Sequence, residues 1–596
     1  MSGYDAPLAD IQFTLESVAG LHEIADLPGY GEATPDTVAD ILAAAGTFAG
    51  EILARINRNG DRGCSLKDGA VTTPEGYRDA YQRFVADGWN AVAFDPEFGG
   101  QGMPWVLTTA LQEIWNGGSV AFAACPMLTQ GAVEAIHHHG SAAQKAKYLP
   151  KLVSGEWTGT MNLTEAQAGT DLGAIRTRAE HDGKGGYLIK GQKIFITHGE
   201  HDFAPNIIHL VLARHPGGPE GHKGLSLFIC PKYLVTEDGA PGARNDVACV
   251  SIEHKLGLHG SPTCVMSYGE KGGALAELVG EPLQGLPQMF TMMNNARLTV
   301  GVQGIGIAER ALQQAAGYAR QRIQSAVVGA PKDANLPILH HPDVRRNLAT
   351  MQVLTQGARA LALFTAGALD RANRHPDPAV RALQQARLDL LIPITKAWST
   401  DQGIRVSSLG IQVHGGAGYI EQTGAAQHYR DARIFAIYEG TNGIQAIDLV
   451  GRKVQRDNGA AMHGLIAEFT RTLSALDDQH ADLAALRERL VPALQRLGMA
   501  TDFILTGGRD DPRLGLAVAQ PYLNLAGTVI AGCLLGMAAA KAVQHLAAGT
   551  GDSAYLVRKI GFARFYADNL LGESAAYLAQ VTGGGDSLLA LDPDAL

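Results

Sequence analysis

With 596 residues, 46% of them hydrophobic and 18% charged, the chain is too long for one ordinary core and too apolar to be disordered. Its net charge of -10 argues against a nucleic-acid scaffold. Its six cysteines (Cys64, Cys125, Cys230, Cys249, Cys264 and Cys533) form no CxxC pair, which favours reduced core thiols in a cytoplasmic protein over disulfides or zinc.

The opening stretch, "MSGYDAPLADIQF", has neither a basic n-region nor an apolar h-region, so no signal peptide is expected. Residues 1–156 read as a helical domain. "TVADILAAAGTFAGEILARIN" carries apolar residues at helical spacing, and "DPEFGGQGMP" is a turn between helices. "AIHHHG" invites a metal hypothesis, but consecutive residues on a helix do not face one point. Histidines in a last turn before a cap glycine suit the helix dipole better. Ser141 and Gln144 stand at capping-box spacing before a helix that stops ahead of Gly155.

From 157 to 285 the pattern shifts to short β-rich runs separated by glycine, proline and charged turns, predicting a small antiparallel β-domain. Long alanine-rich helices return over 286–460, and a further helical block fills 461–596. Strands segregated from helices argue against a doubly wound nucleotide fold. The uncharged segment Leu525–Ala540 is shorter than the ~20 residues a membrane span needs, and it reads as a helix buried between helices.

Four stretches stand out. In "QVHGGAGYI", Gly415, Gly416 and Gly418 would let a backbone approach a phosphate, though a helix-ending turn explains them equally well. "MNLTEAQAGTDLGAIRTRA" opens the β-domain with hydroxyls, acids and small residues. "GQKIFITHG" alternates as a strand does, and its Phe195 could cover a planar cofactor. "FAIYEGTNGIQ" sets Glu439 between an apolar run and glycines, where desolvation would push a carboxylate towards the range useful to a general base. Arg297 and Arg322 are candidates for phosphate pairing, with surface salt bridges the plainer alternative.

Taken in order, "MNLTEAQAGTD", "GQKIFITHG", "KLGLHGSPT", "QVHGGAGY" and "RDARIFAIYEGTNGIQ" resemble the flavin-dependent acyl-CoA dehydrogenases over about 40–455. With both flanks, the chain is similar to the long subgroup that contains 3-methylmercaptopropionyl-CoA dehydrogenases. The resemblance implies a mainly α fold: helical N-domain, central antiparallel β-domain, helical bundle, and an extra C-terminal helical domain. It implies FAD between the β-domain and the bundle, and a homodimer or larger in which one subunit's glycine turn meets its neighbour's FAD.

By position, Glu439 matches the base that removes the α-hydrogen. Leu163, Thr164, Gly169 and Thr170 match the strand and loop that touch flavin and acyl-CoA. Phe195, Ile196 and Thr197 match the segment beside the isoalloxazine. Arg322, Gln412, Gly415 and Gly416 match contacts to the partner's FAD, and Thr441 matches an FAD contact. Thr170, Asn294, Arg297, Tyr438 and Gly440 match the substrate side, Arg297 as an anchor for the CoA moiety. Ala166, Thr170, Gly443 and Asn294 depart from the family's usual proline, serine, Gln/Glu and acid.

The implied reaction is α,β-dehydrogenation of an acyl-CoA to the trans-2-enoyl-CoA. Glu439 takes a proton, the flavin takes a hydride, and an electron-transfer flavoprotein accepts the electrons. A short or medium acyl group is expected, 3-methylmercaptopropionyl among the candidates. An acyl-CoA oxidase shares the fold and the base. A DNA-associated flavoprotein of the superfamily would need a basic C-terminal domain, and residues 461–596 hold 10 basic against 14 acidic residues. The block carries no recognisable catalytic group, and Gly527, Gly532 and Gly536 suggest close helix packing on the core or on a partner subunit.

Overall fold

Strand-forming residues between Thr158 and Leu278 build an eight-stranded sheet in the computed structural model, which describes residues 3–331 and 334–595. Its order is Val247–Ile252, Thr263–Tyr268, Tyr187–Thr197, Ala274–Leu278, Leu225–Pro231, Ile207–Arg214 and Thr158–Asn162, with Arg178–His181 pairing off this path. The strands Ile207–Arg214 and Leu225–Pro231 are buried almost throughout, which explains why they are mostly apolar, interrupted within the buried stretch only by His209 and Ser226.

The sheet departs from the purely antiparallel expectation at Ile207–Arg214, where Arg178 pairs with Arg214 in parallel and the edge strand does the same along its length. Thr158–Asn162 runs parallel to Ile207–Arg214, and the long intervening chain supplies the crossover that a parallel pair needs. The stretch expected to be wholly helical also holds a hairpin, Ser65–Lys67 with Ala70–Thr72. It turns through Asp68 and Gly69 at φ 51° and 77°, the left-handed pair that a two-residue hairpin requires. The helix Ala142–Ser154 starts with the reciprocal Ser141–Gln144 capping box and stops at Gly155 in the left-handed region.

The chain packs as two units. One comprises residues 47–103 and 118–299 and includes the large sheet; the other comprises 1–46, 104–117 and 300–596 and is helical. The long helices Pro342–Arg374 and Pro378–His414 of the helical unit share one continuous apolar core with the C-terminal helices Ala481–Asp510, Ala519–Ala548 and Ser553–Asn569. The C-terminal block therefore packs on the bundle. Gly304 meets the Ser399 carbonyl, 2.6 Å from where a Cβ would stand, and Gly403 meets Gly304. Small residues thus bring the helix Gly285–Gln321 close to Pro378–His414.

The helix Ala519–Ala548 spans 30 residues with a mean hydropathy of 1.8 in its most apolar window. It is thus long enough to cross a bilayer, contrary to the sequence estimate. As the sequence suggests, it packs between helices: 83% of that window lies inside the protein.

A buried ionic cluster ties the N-terminal segment to this core. Arg359, fully buried, donates to Glu113 at 2.9 Å, to Glu309 at 2.8 Å and to Asp10. Asp10 also accepts from Lys559 at 2.8 Å and Tyr555 at 2.9 Å. Burial alone would raise the Asp10 carboxyl, but Lys559 and Arg359 hold it well below the usual range.

Candidate active site

The segment Phe435–Gln445 folds as a short 3-10 turn, an open turn and the helix Asn442–Asp448, which Thr441 caps by accepting from the Ile444 amide. Glu439 and Gly440 lie in the turn at φ 56° and 86°. A left-handed glutamate costs about 1–2 kcal/mol, and such strain persists only where surroundings enforce it. They do so here. The fully buried Lys396 ammonium donates to the Gly440 carbonyl at 2.8 Å, and Gln445 Nε2 donates to the carbonyls of Glu439 at 3.3 Å and Gly440 at 3.4 Å.

Glu439 itself is half-buried. The preceding Tyr438 donates its hydroxyl to Gln303; burial first, and then the Glu439 charge, push its phenol well above the usual range and keep it a neutral donor.

The glycine turn stands elsewhere on the same unit. Lys396 and Gln412 share the helix Pro378–His414 sixteen residues apart, a separation of about 24 Å at 1.5 Å per residue. Gly415 follows at φ 60°, and the positions a Cβ would take on Gly415 and Gly416 are open. His414 stacks on Tyr318 with ring centroids 4.6 Å apart, and Tyr318 accepts the Arg322 amide at 2.9 Å. Arg322, expected inside a helix, lies just past the end of Gly285–Gln321, exposed. Arg322, Gln412, Gly415 and Gly416 thus gather at one end of the bundle, and Tyr438, Glu439, Gly440 and Thr441 gather at the Lys396 level.

The other unit gathers its own set. Ile194 donates to the Thr164 carbonyl at 2.9 Å, and Thr160 donates to the Thr197 carbonyl at 2.7 Å, so the loop from Leu163 lies along the strand end Phe195–Thr197. The strand bulges there. Cys264 faces Ile196 and Met266 faces Lys193, so Ile194 and Phe195 together oppose one residue. Phe195 takes φ 59° and is 57% exposed, while Ile196 is buried. Gly169 and Thr170 lie exposed on the loop.

Sequence reading missed what holds this loop. Glu165 accepts from the Arg176 amide at 2.7 Å, the Thr177 amide at 3.0 Å and the buried Lys193 at 2.9 Å, while Lys193 also donates to the Leu163 carbonyl at 2.8 Å. Burial opposes the Glu165 charge, but Lys193 and these donors outweigh it and hold the carboxyl down at about 2. Arg297 is buried; its Nη1 stands 3.5 Å from Asn294 Oδ1 and its guanidinium 5.9 Å from the Phe290 ring centroid.

Lys396 was missed too, although a lone lysine in the apolar run "LLIPITKAW" was a visible signal. So were Asn442 and Gln445. Their clamping role depends on which carbonyls the turn presents, which spacing does not disclose.

Comparison with known proteins matches residues 66–156, 160–269 and 284–454 to the acyl-CoA dehydrogenase N-terminal, middle and C-terminal domains, and 463–592 to the acetyl-CoA dehydrogenase C-terminal-like domain. The chain belongs to the acyl-CoA dehydrogenase family. It is 46% identical to 3-methylmercaptopropionyl-CoA dehydrogenase of Ruegeria pomeroyi, over 98% of this chain and 99% of that protein. It is 35% identical to the broad-specificity linear acyl-CoA dehydrogenase FadE5 of Mycobacterium tuberculosis, over 96% of each. The fold is that of the acyl-CoA dehydrogenase from Bacillus anthracis complexed with FAD, with a TM-score of 0.73, 20% identity, and coverage of 96% of this chain and 91% of that one.

FAD is the family's cofactor, and the residues present suit it. In the sheet-bearing unit the outward Phe195 offers a flat apolar face and Thr164, Thr170 and Thr197 offer hydroxyls; in the helical unit Thr441 offers another. Open glycines and the exposed Arg322 suit a diphosphate. None of these groups is an anion that would repel it.

Proposed function

We propose that Glu439 is the base that removes the α-proton of a short acyl-CoA thioester, 3-methylmercaptopropionyl-CoA or a straight chain of similar length. The observation that carries the reading is the enforced turn: a carboxylate at φ 56°, half-buried, with the two carbonyls that follow it clamped by Lys396 and Gln445. A solvated loop glutamate needs no such support. The substrate reading rests on the 46% identity to the Ruegeria pomeroyi enzyme along nearly the whole chain.

FAD, when bound, supplies the acceptor for the β-hydrogen as hydride. The chain does the rest. The Glu439 amide donates to the thioester carbonyl and stabilises the charge that develops as the α-proton departs. The Glu439 carboxylate receives that proton, and Gly440 leaves room for the carbonyl beside the base. Arg297 holds the CoA portion, and the Leu163–Thr170 loop, fixed by Glu165 and Lys193, positions hydroxyls and amides. The product is the trans-2-enoyl-CoA.

The electrons pass onward to an electron-transfer flavoprotein in this reading. In this reading the protein works in the cytoplasm as a homodimer or larger; the separation of roughly 24 Å along one helix between Lys396 and Gln412 is compatible with a glycine turn that serves a neighbour's cofactor. A panel of acyl-CoA thioesters with an artificial electron acceptor, scored by kcat/KM, tests the substrate reading. The methylthio-substituted propionyl thioester or a four-carbon chain should lead, and a preference for long chains would contradict it. Peroxide release matching turnover would instead identify an oxidase.

A further inference from the structure

We infer that Lys396 is a positioning residue for catalysis: a buried ammonium that locks the backbone of the base turn and so aims the Glu439 carboxylate. The inference rests on the reading of Glu439 as the base and extends it to the group that directs it.

Lys396 stands on the helix Pro378–His414 amid the apolar run Leu390–Trp398 and is fully buried. An ammonium is seldom carried into such a place without a use for all its donors. Its Nζ reaches the Gly440 carbonyl at 2.8 Å and Asn442 Oδ1 at 2.9 Å. Asn442 is held in turn, its Nδ2 donating to Asp401 at 2.7 Å, Thr400 at 3.1 Å and the Ala397 carbonyl at 3.2 Å. All these partners come from the same stretch of helix, so the turn is riveted to a rigid element on both sides of Thr441.

The consequence falls on Glu439. Its Cα–Cβ direction is set by its own backbone, whose φ of 56° is unfavourable for a residue with a Cβ. The peptide after Glu439 is fixed by Gln445, and the next peptide is fixed by the charge-assisted bond from Lys396, the stronger of the two. Without the ammonium, the Gly440 carbonyl keeps only the long 3.4 Å bond from Gln445, and glycine itself resists little rotation. Glu439 then relaxes towards ordinary backbone geometry and its carboxylate swings off the α-carbon. Substrate and FAD contacts made by other residues stay in place. The loss therefore falls on kcat rather than on KM.

The test compares wild type, Lys396→Met and Lys396→Gln as FAD-loaded full-length protein, with Glu439→Gln in parallel. Lys396→Met is expected to lower kcat about a hundredfold, the scale of a misplaced catalytic group, with KM changed less than about threefold. The kinetic isotope effect with α-deuterated thioester should grow. Deuterium uptake should quicken in the peptide over residues 437–445 alone. Lys396→Gln, which keeps donors without the charge, should fall between the two. Unchanged kcat and uptake in either folded variant overturns the inference. So does uptake that rises along the whole helix, which marks a general packing loss. If Lys396→Met does not fold, Lys396→Gln is read by the same criteria. An active Glu439→Gln would instead remove the base reading itself, whereas an inactive Glu439→Gln beside a fully active Lys396→Met overturns the clamp alone.

Discussion

The Trp398 ring fills the place a side chain at residue 527 would occupy: a Cβ on Gly527 would lie 2.4 Å from both Cδ1 and Cγ of Trp398. Trp398 belongs to the helix that carries Lys396, and Gly527 belongs to the C-terminal helix Ala519–Ala548. The indole Nε1 also donates to Thr528 at 3.3 Å. One glycine thus lets the last helical block seat directly against the helix behind the base.

Gly527→Ala is expected to destabilise. In an exposed helix, Gly to Ala gains up to ~1 kcal/mol, but a rigid buried ring cannot give way, and overpacking costs ~1–3 kcal/mol. The sign should reverse at Gly561, where a Cβ meets nothing within 4 Å. Thermal melts of Gly527→Ala and Gly561→Ala should therefore shift in opposite directions.

Lys559→Met should cost several kcal/mol, because it strips a partner from the buried Asp10 and a broken buried ion pair costs ~3–5 kcal/mol. Asp10→Asn combined with Lys559→Met should cost less than the two single changes added together, since each alone leaves a buried charge underpaired. Denaturant melts of the four proteins give the coupling directly.

Deletion after residue 460 should yield aggregated or dissociated protein. The core that joins Trp398, Leu361 and Met351 to Leu490, Leu534 and Ile560 would be cut through, and exposed apolar surface costs ~25 cal/mol per Å². Size-exclusion chromatography checks this. A truncated protein that stays soluble at its native size, having lost activity alone, would give the block a role in shaping the substrate site.

Much of the architecture was legible because it lies in patterns. Alternation marked the strands, helical spacing and the Ser141–Gln144 box marked the helices, and the ordered motifs marked the family. What escaped depended on three-dimensional pairing. The parallel edge strand Thr158–Asn162 looks like any other short strand until its neighbour is known. The length of Leu525–Ala540 misled, since helix Ala519–Ala548 continues past the apolar run at both ends. Asp68–Gly69 was a turn signal overlooked inside a helical stretch. Lys193, Glu165 and Lys396 act by holding main-chain carbonyls and amides, groups that every residue carries and no motif displays.

Acid should weaken the anchoring of the Leu163–Thr177 loop. The folded Glu165 carboxyl sits at about 2, below its ordinary 4.5, so its stabilising contribution is complete above about 4.5 and fades as pH falls towards 2. Glu165→Gln should therefore be much less stable than wild type at pH 7, with the gap narrowing between pH 4.5 and 3. Melting temperatures of the two proteins across that range check the sign.

The most direct measurement is the turnover of Glu439→Gln, with FAD and acyl-CoA binding measured on the same sample. The amide preserves the shape of the side chain and cannot accept a proton. A positioned base contributes ~10²–10⁴-fold, so kcat should fall by at least a hundredfold while cofactor absorbance and thioester binding remain. A loss of less than about tenfold with both ligands bound would contradict the account and place the base on another residue.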